Sequence, residues 1–85
     1  MKPIQIYSKD YCPYCDKAKA FFTMKGIPFT EIDITHDPDK QQEMLTRAAP
    51  RRTVPQIFIG DTAIGGYDDM MKLHDQGTLM GMIEG

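Results

Sequence analysis

The run Cys12-Pro13-Tyr14-Cys15 constrains this chain more than any other feature, because it stands where a short alternating segment gives way to a helical one. Ile4-Gln5-Ile6-Tyr7 alternates apolar and polar residues and reads as a strand ending at about Tyr7 or Ser8. The turn Lys9-Asp10-Tyr11 follows. Pro13 suits the first helical position, since the N–H it lacks would have had no partner there. Ala18, Phe21 and Phe22 then recur at helical spacing to about Lys25, and Gly26 supplies a left-handed cap. Residues three apart on a helix share a face, so the two sulfurs can meet. Cys12 becomes the N-cap, with its sulfur facing the unpaired backbone N–H groups of Tyr14 and Cys15.

The rest of the chain alternates in the same way. Phe29-Thr30-Glu31-Ile32-Asp33 reads as a second strand. Asp37-Pro38 reads as the N-cap and first residue of a second helix, with Gln41, Met44, Leu45 and Ala48 on one face, ending before Pro50. Gln56-Ile57-Phe58-Ile59 is a third strand, Gly60-Asp61 a hairpin turn, and Thr62-Ala63-Ile64 a fourth strand. After the corner Gly65-Gly66, a third helix runs from Tyr67 to about Gln76. Leu79, Met82 and Ile83 mark one more short helical segment. A strand–helix–strand crossover is right-handed, which makes the first two strands parallel. The order βαβαββα therefore predicts an α/β fold: a four-stranded mixed sheet with helices on both faces.

Eighty-five residues with 41% hydrophobic and 26% charged content suffice for one domain, residues 1–85, with a single packed interior. The net charge of −2 argues against nucleic acid as a partner, which calls for a basic surface. No apolar run approaches the length of a membrane span. The start of the chain has no signal-peptide pattern, which points to the cytoplasm and away from membranes.

The chain has two cysteines. A disulfide closing so short a loop would constrain the unfolded chain little, and a reducing cytosol would open it. Zinc would need further soft ligands; His36 and His74 lie far apart and match no Cys2His2 spacing, so no metal site is expected. Redox chemistry suits the pair best. The helix N-terminus, with Lys9, Lys17 and Lys19 close in sequence, favours the Cys12 thiolate and should hold its pKa below the free value of roughly 8.5. Cys15, one turn into the helix, should be more buried and suits the resolving role.

Three motifs then occur together: Cys12-Pro13-Tyr14-Cys15 after the first strand, Thr53-Val54-Pro55 before the third, and Gly65-Gly66-Tyr67-Asp68-Asp69 opening the last long helix. On these, nearly the whole chain resembles the dithiol glutaredoxins, and most of all their short bacterial members. Thioredoxins carry Trp before the first cysteine and Gly-Pro between the pair, whereas the monothiol glutaredoxins carry Ser for the second cysteine. The resemblance implies a thioredoxin fold. It also implies a glutathione-dependent thiol–disulfide oxidoreductase that reduces glutathione–protein mixed disulfides and protein disulfides through Cys12, with Cys15 resolving. The expected potential is that of glutaredoxins, roughly −200 to −230 mV.

The same resemblance assigns a glutathione site. Pro55 would follow a cis peptide bond and leave the Val54 backbone to pair with the cysteinyl part of glutathione as an added strand, with Thr53 lining the groove beside it. Gly66, with the N–H groups of Tyr67 and Asp68, would hold the γ-glutamyl carboxylate at the helix N-terminus, with Asp68 near the α-amine. Lys9 would meet the glycyl carboxylate, Tyr14 would line the groove, and Arg52 would lie at its rim, Arg51 being the less certain neighbour. Gln41 and Gln42 are candidates whose spacing assigns neither. Tyr67 stands where some relatives carry a third cysteine. Glutathione enters as reducing co-substrate, with no tightly bound cofactor. The implied partners are glutathionylated or disulfide-containing proteins, ribonucleotide reductase among them, and the chain is expected to act as a monomer. Two other uses stay open at this point: an iron–sulfur or soft-metal module built on Cys12, and a thioredoxin-like donor fed by a reductase protein.

Overall fold

The structure is a computed structural model describing residues 1–85. Its elements are β1 (Ile4–Ser8), α1 (Pro13–Met24), β2 (Thr30–Asp33), α2 (Pro38–Ala48), β3 (Gln56–Ile59), β4 (Thr62–Gly65), α3 (Tyr67–Asp75) and α4 (Leu79–Glu84). The four strands form one sheet in the order β2-β1-β3-β4. β1 runs parallel to β2, while the β1–β3 and β3–β4 pairs are antiparallel. The crossover through α1 accounts for the one parallel pair, and the tight turn at Gly60 (φ 60°) for the β3–β4 hairpin.

Period-2 alternation divides the interior between the two faces of the sheet. Ile4, Ile6, Ile57, Ile59 and Ile64 pack with Ala18 and Phe22 of α1, Met70 of α3, and Leu79 and Ile83 of α4. Tyr7 and Phe58 point the other way, onto Ile34 and onto Met44 and Ala48 of α2. All four residues of β3 are buried, as expected of a central strand covered on both faces. β2, at the edge, exposes Thr30, Glu31 and Asp33, which is why its alternation is faint in the sequence.

The helix boundaries follow their caps. Cys12 caps α1, and Pro13 is its first residue. α1 closes at Met24, and Gly26 (φ 70°) turns the chain out. Asp37 accepts the Lys40 N–H at 3.1 Å and caps α2, again followed by proline. Each of these two helices thus starts where its sequence leaves an N–H that needs a partner or lacks one. This places the start of α1 at the end of the sheet reached by β1.

On the α2 face, the Tyr7 hydroxyl donates to Glu43 and receives a hydrogen bond from Arg47 Nη1 at 2.7 Å. Arg47 also donates to Gln5 Oε1 at 2.8 Å and stacks 4.0 Å above the Phe58 ring. Burial, and then the bond to Glu43, raise the Tyr7 pKa above the ordinary phenol value, so the hydroxyl stays protonated. On the other face, the buried Ser8 hydroxyl donates to Glu31 at 2.6 Å, and Lys19 of α1 closes on the same carboxylate at 2.7 Å.

Candidate active site

Cys12 and Cys15 are joined as a disulfide at the N-terminus of α1. Their exposures differ as their positions dictate. Cys15, on the inner stripe of the helix with Ala18 and Phe22, is fully buried, whereas Cys12 is partly exposed. The Cys15 N–H donates to Cys12 Sγ at 3.1 Å. The N-cap geometry expected from Pro13 is therefore present, with the Cys15 amide, and not that of Tyr14, as the donor to sulfur. Cys12 Sγ also lies 3.8 Å from the Val54 carbonyl oxygen, which brings the second motif against the first.

The Val54–Pro55 peptide is cis. Beside it a groove of about 270 Å³ opens, lined by Tyr14, Arg51, Thr53, Val54, Pro55, Gln56, Gly66, Tyr67, Asp68 and Asp69. All three sequence motifs thus meet at one cleft. Gln56 fixes the near wall: it is buried, and its Nε2 donates to the Thr53 carbonyl at 2.8 Å. Its Oε1 has no hydrogen-bond partner.

The far wall is the start of α3. Gly65 holds φ at 106°, a value open to glycine, and a Cβ there would run into the Arg51 guanidinium and the Asp69 carboxylate. Asp69 reaches back to accept the Gly66 N–H at 3.0 Å, so it is the capping residue, and Asp68 stays exposed in the groove. Asp69 also lies 4.0 Å from Arg51 Nη1. The Tyr67 and Asp68 N–H groups follow at the head of the helix, where the backbone offers no intrahelical acceptor.

Tyr14 and Tyr67 close the side of the groove, with ring centroids 6.0 Å apart. Lys17 spans both, its Nζ 5.1 Å from the Tyr14 centroid and 5.9 Å from that of Tyr67. Lys19, another lysine near the cysteines in sequence, is directed away to Asp16 and Glu31.

Two residues expected at the groove lie elsewhere. Lys9 and Arg52 do not line it; with Gln41, Ile34, Met44 and Leu45 they line a second depression of about 200 Å³. Arg51, the less certain neighbour by sequence, is the arginine in the groove itself. Sequence reasoning missed Gln56 and Asp69 as groove residues and left Gln41 unassigned. Gln41 donates to the Ile34 carbonyl at 2.9 Å, which fixes it beside Lys9. The signal for Gln56 was its place directly after Pro55 at the start of a fully buried strand.

A partly exposed sulfur at a helix N-terminus, a buried partner one turn on and a main-chain groove beside them can do one kind of chemistry well, the exchange of thiols with disulfides. On this arrangement of strands and helices they define a thioredoxin-fold thiol–disulfide oxidoreductase.

Comparison with known proteins narrows the class. A family model described as Glutaredoxin matches residues 4–64. Glutaredoxin 3 of Escherichia coli (strain K12) is 46% identical over 79 residues, covering 93% of this chain and 94% of that protein. The glutaredoxin of Pseudomonas aeruginosa PAO1 is 44% identical, with 93% of each chain covered. Among solved structures, a buckwheat glutaredoxin–glutathione complex superposes with a TM-score of 0.86 at 35% identity, over 98% of this chain and 77% of that one. The chain belongs to the glutaredoxin family of glutathione-dependent thiol–disulfide oxidoreductases, and its Cys12-Cys15 pair is of the dithiol kind. No helix is long and apolar enough to cross a membrane.

Proposed function

We propose that Cys12 is the nucleophile, Cys15 the resolving thiol, and the groove the seat of the glutathione half of the substrate. The contrast at the helix start carries this reading: Cys12 is partly exposed and accepts an amide N–H at 3.1 Å, while Cys15 is sealed in the interior. In the reduced protein the same amide and the helix dipole favour a thiolate on Cys12.

With a glutathione–protein mixed disulfide, the Cys12 thiolate attacks the glutathione sulfur. The mixed S–S bond breaks, a Cys12–glutathione disulfide forms, and the protein leaves as a thiolate that takes a proton from water. A second glutathione thiolate then attacks the glutathione sulfur on Cys12, releasing glutathione disulfide and the Cys12 thiolate. With a protein disulfide, Cys12 first becomes bonded to the substrate. Cys15 then attacks Cys12, freeing the substrate dithiol and leaving the Cys12–Cys15 disulfide, which two glutathione molecules reduce.

Glutathione binding is supported by the groove and by the buckwheat relative, described as a glutathione complex. The cysteinyl backbone pairs with Val54 beside Thr53 and Pro55. The γ-glutamyl carboxylate meets the N–H groups of Tyr67 and Asp68 beyond Gly66, with the Asp68 carboxylate toward the α-amine. Tyr14 covers the sulfur side. Lys9 and Arg52, with Gln41 beside them, form a cationic depression suited to the glycyl carboxylate. Protein substrates would be glutathionylated or disulfide-bonded proteins, ribonucleotide reductase among them, met by a monomer in the reducing cytoplasm. Free glutathione is the only reductant this cycle needs.

The test is reduction of the mixed disulfide of glutathione and 2-mercaptoethanol, coupled to glutathione reductase and NADPH. Wild type should turn over, Cys12→Ser should lose at least a thousandfold, and Cys15→Ser should keep most of this activity while losing protein-disulfide reduction. Full turnover by Cys12→Ser would remove Cys12 from the nucleophile's role; equal loss of both activities in Cys15→Ser would remove the division of labour.

A further inference from the structure

Tyr11 stands directly before the nucleophile and has two features that folding does not explain. It is the one non-glycine residue with positive φ, at 57°. Its side chain is also as exposed as in an isolated residue, at 101%. A bulky side chain in left-handed backbone is disfavoured, and a large ring left wholly in water recovers nothing for it. No other ring and no cation of the chain lies on it, unlike Tyr14 and Tyr67 beside the groove. The conformation is nonetheless held from both sides. The Asp10 N–H donates to Thr35 Oγ1 at 2.9 Å, which ties the preceding residue to the β2–α2 connection. Cys12, the next residue, is fixed as the N-cap of α1.

We propose that Tyr11 is a specificity-determining residue that contacts the polypeptide half of the mixed disulfide. The inference rests on the glutathione-dependent reading above. Tyr11 adjoins Cys12 but does not line the groove assigned to glutathione, so the half of the substrate it can meet is the one outside. The occupant is the segment around the reacting cysteine of a glutathionylated protein, with an apolar side chain within two residues of that cysteine. A tyrosine ring is well suited to such a contact, since it offers a large amphipathic face and loses little rotamer freedom on binding. Backbone held on both sides keeps that face in place before the substrate arrives. Tyr14, half exposed at 53% on the other side of Cys12, lines the groove instead and pairs with Tyr67.

The experiment compares wild type, Tyr11→Asn and Tyr11→Phe on three substrates: the glutathione–mercaptoethanol disulfide, a glutathionylated peptide with Leu beside the cysteine, and the same peptide with Ser there. Asparagine accepts left-handed backbone, so the first variant removes the ring and keeps the turn. Turnover of the small disulfide should stay within twofold for all three proteins. For the Leu peptide, Tyr11→Asn should lower kcat/KM five- to tenfold through KM with kcat unchanged, and Tyr11→Phe should restore it; the Ser peptide should lose less than the Leu peptide. An unchanged Leu peptide, or an equal loss on the small disulfide, would overturn the assignment. A wild type inactive on the small disulfide would instead overturn the glutathione reading, and this inference with it.

Discussion

Gly65 is the residue on which the geometry of the groove turns. Its φ of 106° aims the chain into α3, and the space a Cβ would need is taken by Arg51 and Asp69. Alanine there must adopt a poor backbone conformation and push apart the Arg51–Asp69 contact that lies along the groove wall. Gly65→Ala should therefore destabilise the protein by at least about 1 kcal/mol. It should also raise KM for glutathione mixed disulfides while leaving the alkylation rate of reduced Cys12 by iodoacetamide unchanged, since the start of α1 is untouched. Steady-state kinetics and a timed alkylation read the two effects separately. At this scale the sequence is legible wherever a residue type acts locally, as Pro13 does in starting a helix, Gly26 in ending one and Gly65-Gly66 in turning a corner. It is not legible where neighbours in a loop without period face different ways. Arg51 and Arg52 are chemically identical and adjacent, yet one enters the groove and the other joins Lys9 and Gln41.

Between elements, polar side chains connect what the apolar pattern brings together. Glu31 on the edge strand β2 accepts from Ser8 of β1 and from Lys19 of α1, joining three elements that meet behind the cysteines. The Lys19 hydrogen bond, and then that of Ser8, hold its carboxyl below the ordinary glutamate pKa. A carboxylate whose folded pKa is depressed binds fewer protons in the folded state. Its contribution is present above the unfolded value of about 4.3 and is lost as pH falls through the folded one. More than a third of the Glu31 side chain is exposed, so water screens the pair; what remains includes the buried Ser8 hydroxyl, which needs an acceptor. Glu31→Gln should cost about 1 kcal/mol at pH 7, and the gap from wild type should narrow at pH 3, as read from urea unfolding at both values. A gap equal at both would place the effect in packing and not in charge. Such networks are hard to read in a sequence. The strands and helices are local patterns of period two and 3.6, whereas Lys19–Glu31 spans 12 residues and Arg47–Tyr7 spans 40, with nothing at either end to announce the other.

Across the whole molecule, the two faces of the sheet are unequal, and the difference decides where the fold is most vulnerable. Eleven buried apolar residues lie between the sheet and α1, α3 and α4, against five on the α2 side. Phe22 belongs to the larger group, is fully buried, and meets Phe21 edge-on at 5.4 Å and Phe29 at 6.1 Å. It lies on the same inner stripe of α1 as Cys15, so the packing that fixes the resolving cysteine and the packing that holds the domain together are one. The alternation of Ile4, Ile6, Ile57 and Ile59 and the helical stripe of α1 make this core readable in the sequence, because burial on one face imposes period on it. A chain of this length has a total stability of roughly 4–13 kcal/mol, and truncating a buried phenylalanine costs about 3–5 kcal/mol. Phe22→Ala should therefore remove a large part of that stability. At about 4–8 °C per kcal/mol for a domain of this size, Tm should fall by at least roughly 12 °C. Met24→Ala, two residues on but 86% exposed, should leave Tm within about 3 °C. Circular-dichroism melts of the oxidised proteins make the comparison. If the two variants melt together, α1 is held by its disulfide-bearing end and not by its inner face. If they separate as expected, the active-site helix is anchored from below by the hydrophobic core, and Cys12 reacts at the free end of a helix whose other contacts are fixed.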